Sequence, residues 1–329
     1  MTSAAAILGP EGPEITAWER DFFKAADPLG FILFARNVEN PEQLRRLTGQ
    51  LREAVGRDAP VLIDQEGGRV QRMRAPHWRE YLPALDQMAR AQDPMRAQWV
   101  RNRLIAEELH AVGIDVNCAP LADLVEPGTH PVLRNRLYGD SVEVVTRAAR
   151  ICADAHLAGG VLPVLKHIPG YGRARVDSHK ALPTVDVPRA ELEARDFAPF
   201  RELNDIRLGM TAHIVFSAID PEAPATTSPV MMRMIREELG FDGLIMTDDI
   251  SMEALSGSVA ERSRAAIAAG CDVVLHCNGE AAEMEAVVEA SGSLTDRGAN
   301  RAAKALQQRR NRESIDMDSL EAEFEALLK

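Results

Sequence analysis

Residues 60–72 read PVLIDQEGGRVQR. A short apolar run enters directly into a carboxylate, Asp64, and then into Gln65, Glu66, two glycines and Arg69. The same transition returns at 162–167, LPVLKH, and at 243–249, GLIMTDD. Short, continuous apolar runs bounded by polar residues read as strands buried on both faces. Working outward, eight such runs are found, at 4–8, 30–34, 60–64, 115–119, 162–167, 208–213, 243–247 and 272–276. Helical patterns lie between them, at 41–55, 95–111, 142–158, 189–203, 229–238 and 259–269. Asn40-Pro41-Glu42 and Ser228-Pro229 are helix starts, each a capping residue followed by proline at the first helical position. Strand–helix alternation predicts a parallel sheet with helical crossovers, and eight units predict an α/β chain folded as a single (β/α)8 TIM-type barrel. The rival, a doubly wound open sheet binding a dinucleotide, would need a glycine-rich phosphate turn. Gly67-Gly68 follows a strand, but no GxGxxG surrounds it. No shift in composition marks a linker, so residues 1–329 are expected to form one catalytic domain. The charged segment from about Gly292 onward is expected to be a C-terminal helical extension packed on the outside.

Hydrophobic residues make up 46% of the chain and charged residues 27%, which excludes disorder as the main state. The net charge of -12 argues against broad attraction to nucleic acid or to anionic membranes. No basic n-region opens the chain, and no apolar run reaches the roughly 18 residues of a membrane span. Cys118, Cys152, Cys271 and Cys277 form no CxxC and sit in apolar segments, so reduced core thiols in a cytoplasmic protein are expected, with no zinc site.

In a barrel, the C-terminal ends of all strands lie on one face, the face that holds active sites. Here those ends carry Asp64, Asp123, Lys166-His167, His213, Asp248-Asp249 and His276-Cys277-Asn278. Polar loops account for one or two of these, but poorly for a set so rich in carboxylates and imidazoles. Successive strand residues point to opposite faces, so one of Asp248 and Asp249 should face the mouth. Asp248 shares the parity of Leu244 and Met246; Asp249 suits a structural role capping the next element. The stretch 166–179, KHIPGYGRARVDSH, is a strand end followed by a glycine- and proline-rich loop. Asp177 and His179 lie two apart on it, and a carboxylate beside an imidazole fixes its tautomer and supports its charged form. Such a pair alone is common on surface turns. After a strand ending Lys-His it carries more weight. Arg72 and Arg136 would each more often be surface ion pairs, but buried with Asp64, Lys166 and His167 they would form a polar ring suited to sugar hydroxyls.

Four stretches in order, GFILFARN (30–37), DQEGGRVQR (64–72), KHIPGYGRARVDSH (166–179) and LIMTDDISM (244–252), resemble glycoside hydrolase family 3. The similarity is to its branch of bacterial cytoplasmic β-N-acetylhexosaminidases of peptidoglycan recycling. The resemblance implies a single (β/α)8 barrel and retaining hydrolysis of terminal, non-reducing N-acetylglucosamine through a covalent glycosyl-enzyme. By motif, it implies Asp248 as nucleophile, His179 as general acid/base with Asp177 as its partner, and Asp64, Arg72, Arg136, Lys166 and His167 as sugar-binding residues. The implied substrate is N-acetylglucosamine linked β-1,4 to anhydro-N-acetylmuramic acid, with or without peptide. Tyr171 stands where the family usually has His, and the Arg136 loop, VLRNRLYGD, departs from the family pattern at Arg134 and Tyr138.

Retention needs a carboxylate near the anomeric carbon and a second group that gives and then removes a proton. Asp248 on a rigid strand end can supply the first. An imidazole with an unperturbed pKa near 6.5 can supply the second. Four other readings stand beside this one: substrate-assisted hydrolysis with paired acids, a Schiff-base aldolase using Lys166, metal-assisted hydrolysis through His167, His179, Asp64 and Asp248, and a sugar-binding barrel without turnover. The family 3 reading expects a small sugar or muropeptide as partner, no nucleic acid, no membrane, no cofactor, no metal and a monomer.

Overall fold

A computed structural model of the chain describes residues 3–176, 181–310 and 312–329. Eight parallel strands close on themselves: β1 (Ala4–Leu8), β2 (Pro28–Leu33), β3 (Val61–Ile63), β4 (Val116–Asn117), β5 (Leu162–Ile168), β6 (Leu208–Thr211), β7 (Leu244–Asp249) and β8 (Val273–His276). Each pairs with its neighbours in sequence, and β1 closes the ring on β8 with Leu8 opposite His276. The α/β barrel expected from the sequence is the architecture found.

Helices cover the outside, and their starts follow from sequence. Asn40 caps Pro41–Val55 by accepting from the Gln43 N–H, and Ser228 does the same for Met231 in Pro229–Glu237. Ser258 and Glu261 form a reciprocal capping box on Val259–Ala269. The predicted helix at 189–203 is instead two short ones, Arg189–Ala194 and Ala198–Glu202. Arg195 leaves helical geometry, and Pro199, which has no N–H to give, sits in the first turn of the second helix.

Alternation along the strands divides the core in two. One set, including Phe31, Ile63, Leu165 and Ile245, packs against the helices. The other, including Ile7, Leu62, Val116, Leu162, Val164, Leu208, Leu244 and Met246, fills the barrel. The C-terminal extension is less peripheral than expected. Helix Asp296–Gln307 sets Ala302, Ala305 and Leu306 against the barrel-filling set, so it stops one mouth of the barrel with apolar side chains. The last helix, Met317–Leu327, packs on Pro94–His110. Among the described residues, no helix is long and apolar enough to cross a membrane.

Candidate active site

The site grows out of the barrel-filling rows. Leu62 points inward, and two residues on, Asp64 continues its row. Lys166 continues the row of Leu162 and Val164, and Asp248 that of Leu244 and Met246. All three line one cavity of 230 Å³, with Arg72, Arg136 and His167 around it. His167 follows Lys166 across a cis peptide bond, and both line the cavity.

The charged residues are interlocked. Lys166 Nζ lies 3.0 Å from Asp64 Oδ1 and 2.6 Å from Glu66 Oε1. Arg72 Nη2 donates to Asp64 Oδ2 at 3.0 Å, and Arg136 grips Glu66 with two hydrogen bonds of 2.8 and 2.9 Å. Burial works against every charge here, but the pairing outweighs it. Lys166 and Arg136 are held protonated, above the ordinary values for their types, by Asp64 and Glu66. Asp64 is held well below the ordinary carboxylate value by Lys166 and Arg72, and Glu66 is brought down to about 2 by Arg136 and Lys166. The hairpin that carries this arm, Gln65–Gly67 paired antiparallel with Val70–Gln71, returns Arg72 to Asp64. Phe34 supports Arg72, whose guanidinium lies 5.1 Å from the ring centroid.

The other side of the cavity is built on Asp248. Its Oδ1 accepts the Asp249 N–H at 2.8 Å. Burial pushes its pKa up, yet His167, His213, that N–H and Lys166 reverse the sign, and the carboxyl sits below its ordinary value. Asp248 is therefore an anion at neutral pH. Asp249 also borders the cavity, although simple alternation puts it on the far side; the register against β8 shifts between Met246 and Asp249. Its carboxylate is occupied, accepting from the Ser251 hydroxyl at 2.8 Å, the Ser251 N–H at 3.1 Å and the Cys277 N–H at 3.3 Å.

Residues 16–308 match the Glycosyl hydrolase family 3 N terminal domain. A beta-hexosaminidase of Alkalilimnicola ehrlichii is 38% identical over 280 residues, covering 83% of this chain and 80% of the relative. The chain belongs to glycosyl hydrolase family 3. Among solved structures, NagZ from Neisseria gonorrhoeae in complex with N-trifluoroacetyl-D-glucosamine superposes with a TM-score of 0.87 at 29% identity, covering all of this chain and 99% of that one. A family 3 beta-N-acetylglucosaminidase from a Paenibacillus species superposes with a TM-score of 0.86 at 30% identity over 95% of this chain. That enzyme is longer, and this chain spans 62% of it.

The family 3 barrel thus brings together Asp64, Arg72, Arg136, Lys166, His167 and Asp248 at one mouth. Asp177 and His179 lie outside the described residues. The loop that leads to them is pinned up to Ala174. The Tyr171 N–H donates to Asp123 Oδ1 at 2.7 Å, the Gly172 carbonyl accepts from the Thr129 hydroxyl at 2.6 Å, and the Ala174 carbonyl accepts from the His130 N–H at 3.0 Å.

Three further residues are bonded to those lining the cavity and were not assigned to the site from the sequence. Glu66, between Lys166 and Arg136, has the same strand parity as Asp64, and that parity is the signal that could have found it. Asp123 accepts His167 Nδ1–H at 2.8 Å and so sets the imidazole, leaving Nε2 as the other ring nitrogen. His213 hydrogen-bonds through Nδ1 with the Thr226 hydroxyl at 2.7 Å and donates from Nε2 to the Asp249 carbonyl at 3.0 Å. Burial lowers its pKa, partly opposed by the charge of Asp248. Asp123 and His213 lie just beyond β4 and β6, and they bond to His167 on β5 and to Asp249 on β7, partners distant in sequence that spacing does not reveal.

Proposed function

We propose that this family 3 glycosidase is a retaining β-N-acetylglucosaminidase. In this reading it removes the terminal non-reducing N-acetylglucosamine from its β-1,4 linkage to anhydro-N-acetylmuramic acid, with or without peptide, in cytoplasmic cell-wall recycling. The carrying observation is an ionised Asp248 on a rigid strand, sharing one small cavity with the paired ring of Asp64, Arg72, Arg136 and Lys166. The beta-hexosaminidase relatives support the sugar assignment.

The steps follow from the residues. Sugar hydroxyls exchange water for the fixed donors and acceptors of the ring, which cost little to organise because ion pairs already hold them. Asp248 attacks the anomeric carbon and forms an ester as the glycosidic oxygen departs. His179, supported by Asp177, protonates that oxygen and then takes a proton from the water that hydrolyses the ester. His167, fixed by Asp123, lines the cavity together with the nucleophile. The Schiff-base reading is disfavoured because Lys166, clamped by two carboxylates, stays an ammonium and lacks the free electron pair that a carbonyl needs.

Turnover of an aryl β-N-acetylglucosaminide should far exceed that of the aryl β-glucoside; the reverse order would overturn the sugar assignment. An activated 5-fluoro glycoside should esterify Asp248, located by mass spectrometry of the peptide spanning 241–255. His179→Ala should nearly abolish cleavage of the natural disaccharide, whose alkoxide needs a proton, but spare the first step on a nitrophenyl glycoside. The ester should then accumulate, giving a nitrophenol burst before slow turnover. Equal losses on both substrates without a burst would remove His179 from the acid/base role. The Asp248 shift is downward, so its ionisation cannot produce a limb of the pH–kcat/KM profile above the ordinary carboxylate value of 3.8.

A further inference from the structure

The family match ends at residue 308, yet the helix Met317–Leu327 beyond it connects to the substrate arm. Phe324 is buried and meets the ring of Tyr81 at 6.0 Å between centroids. Arg79 lies 5.8 Å from the Phe324 centroid and 3.3 Å from Glu321, and Arg96 clasps Glu323 with bonds of 2.6 and 2.7 Å. The Tyr81 carbonyl accepts the Gly68 N–H at 2.8 Å, so the tyrosine is bonded to the hairpin tip. Over the Tyr81 ring, 5.6 Å from its centroid, lies the guanidinium of Arg101.

Arg101 is 1% exposed, and among the described residues no carboxylate lies within ion-pair distance of it. Its Nη1 donates to Gln87 Oε1 at 2.8 Å and its Nη2 donates to the carbonyl of Glu66. A buried cation held only by neutral acceptors is a costly way to fill space; an apolar side chain would serve packing better. The cation stands so close to the hairpin that a Cβ at Gly67, where φ is +95°, would come within 2.0 Å of Nη2. Glu66 is therefore held at both ends, its carbonyl by Arg101 and its carboxylate by Arg136 and Lys166.

We propose that Arg101 is a positioning residue of the substrate pocket and that the C-terminal helix acts on the pocket through Phe324, Tyr81 and Arg101. The inference rests on the reading of Asp64, Arg136 and Lys166 as sugar-binding. Only a planar fork reaches Gln87 and Glu66 together, so a lysine at 101 loses one of the two acceptors. Asp248 stands on β7, outside the braced arm. The defect should thus fall on sugar binding rather than on the chemical step.

The test measures KM and kcat on an aryl β-N-acetylglucosaminide, with inhibition by free N-acetylglucosamine as a second reading of affinity. Arg101→Lys and Arg101→Met should raise KM and the inhibition constant about tenfold while kcat changes less than about threefold. A role confined to stability would shrink the active fraction, lowering kcat and leaving KM and the inhibition constant unchanged. Phe324→Ala should raise both constants about threefold and Phe324→Leu should restore them, since packing on Tyr81 is what matters. Arg136→Met is the reference. If it weakens binding and the Arg101 variants do not, the brace is overturned. If Arg136→Met itself leaves both constants at the wild-type level, the sugar-binding reading fails instead. Should the Arg101 variants not fold, unchanged constants in Phe324→Ala overturn the proposal on their own.

Discussion

The two mouths of the barrel are built from the same strands and finished in opposite ways. At one mouth the inward rows end in Leu29, Leu62, Val116, Leu208 and Leu244, and the helix Asp296–Gln307 covers them with Ala302 and Leu306. At the other they end in Asp64, Lys166 and Asp248, with Arg72 and Arg136 folded over them. The closed mouth is stabilised by removal of apolar surface from water, roughly 25 cal/mol per Å². The open mouth has to offset the cost of burying charge, several kcal/mol per ion, and does so by interlocking carboxylates with cations. An inward-facing position therefore says only that a side chain will be buried. Which mouth it faces decides whether its burial stabilises the fold or prepares chemistry.

The largest expected effect that separates the mouths is Asp248→Asn. It removes a charge but keeps the shape, so turnover should fall by at least about 10³-fold with the thermal midpoint near wild type. Near wild-type turnover would remove Asp248 from the reaction. Lys166→Met leaves Asp64 and Glu66 without their shared cation and should cost about 3–5 kcal/mol in denaturant unfolding. A loss below 1 kcal/mol would show that the ring is wet and loosely held. Ala302→Asp is the converse, an unpaired carboxylate against the closed mouth. It should cost about 3 kcal/mol while turnover per folded molecule stays unchanged. Loss of turnover in the folded fraction would mean that the two mouths are coupled.

The smallest effect concerns a charge that belongs to neither mouth. Glu108, beneath Tyr81, has its pKa raised to about 7, chiefly by burial. Its ordinary value is 4.5, so the folded chain holds this proton more tightly than the unfolded chain. The stability it confers is complete below pH 4.5 and is lost as pH rises through about 7. Glu108→Gln should therefore melt about 2 °C or more above wild type at pH 8 and close to it near pH 4.5. An equal shift at both pH values would point to packing rather than charge.

The barrel was legible because its strands are buried on both faces. Continuous apolar runs such as 162–167 stand out from the helical pattern between them. The charged mouth was legible for a related reason, since a carboxylate or lysine directly after such a run has few structural uses. Strand ends were less so: β4 shrinks to Val116–Asn117, and the pattern at 189–203 hides a break at Arg195. The roles of Asp123 and Glu66 were not read from the sequence. Parity with Asp64 could have placed Glu66 at the mouth, but the partners of Asp123 and Glu66, His167 and Arg136, lie 44 and 70 residues away, and no local period records those pairings. The plugging helix Asp296–Gln307 was read as peripheral because its composition is charged, though its buried stripe is only Gly298, Ala302 and Ala305.

The closure of β1 on β8 has a consequence for synthesis. Ala6, Ile7 and Leu8 find their partners in Val274, Leu275 and His276, which the ribosome adds 268 residues later. At roughly 5–20 residues per second, the first strand waits about 10–50 s with one edge unpaired. Through that interval its AAAIL backbone can pair only with β2, and it is a ready template for another nascent chain. Crowding on the polysome should therefore lower the yield of active protein. Slower initiation, which spaces the nascent chains apart, should raise it.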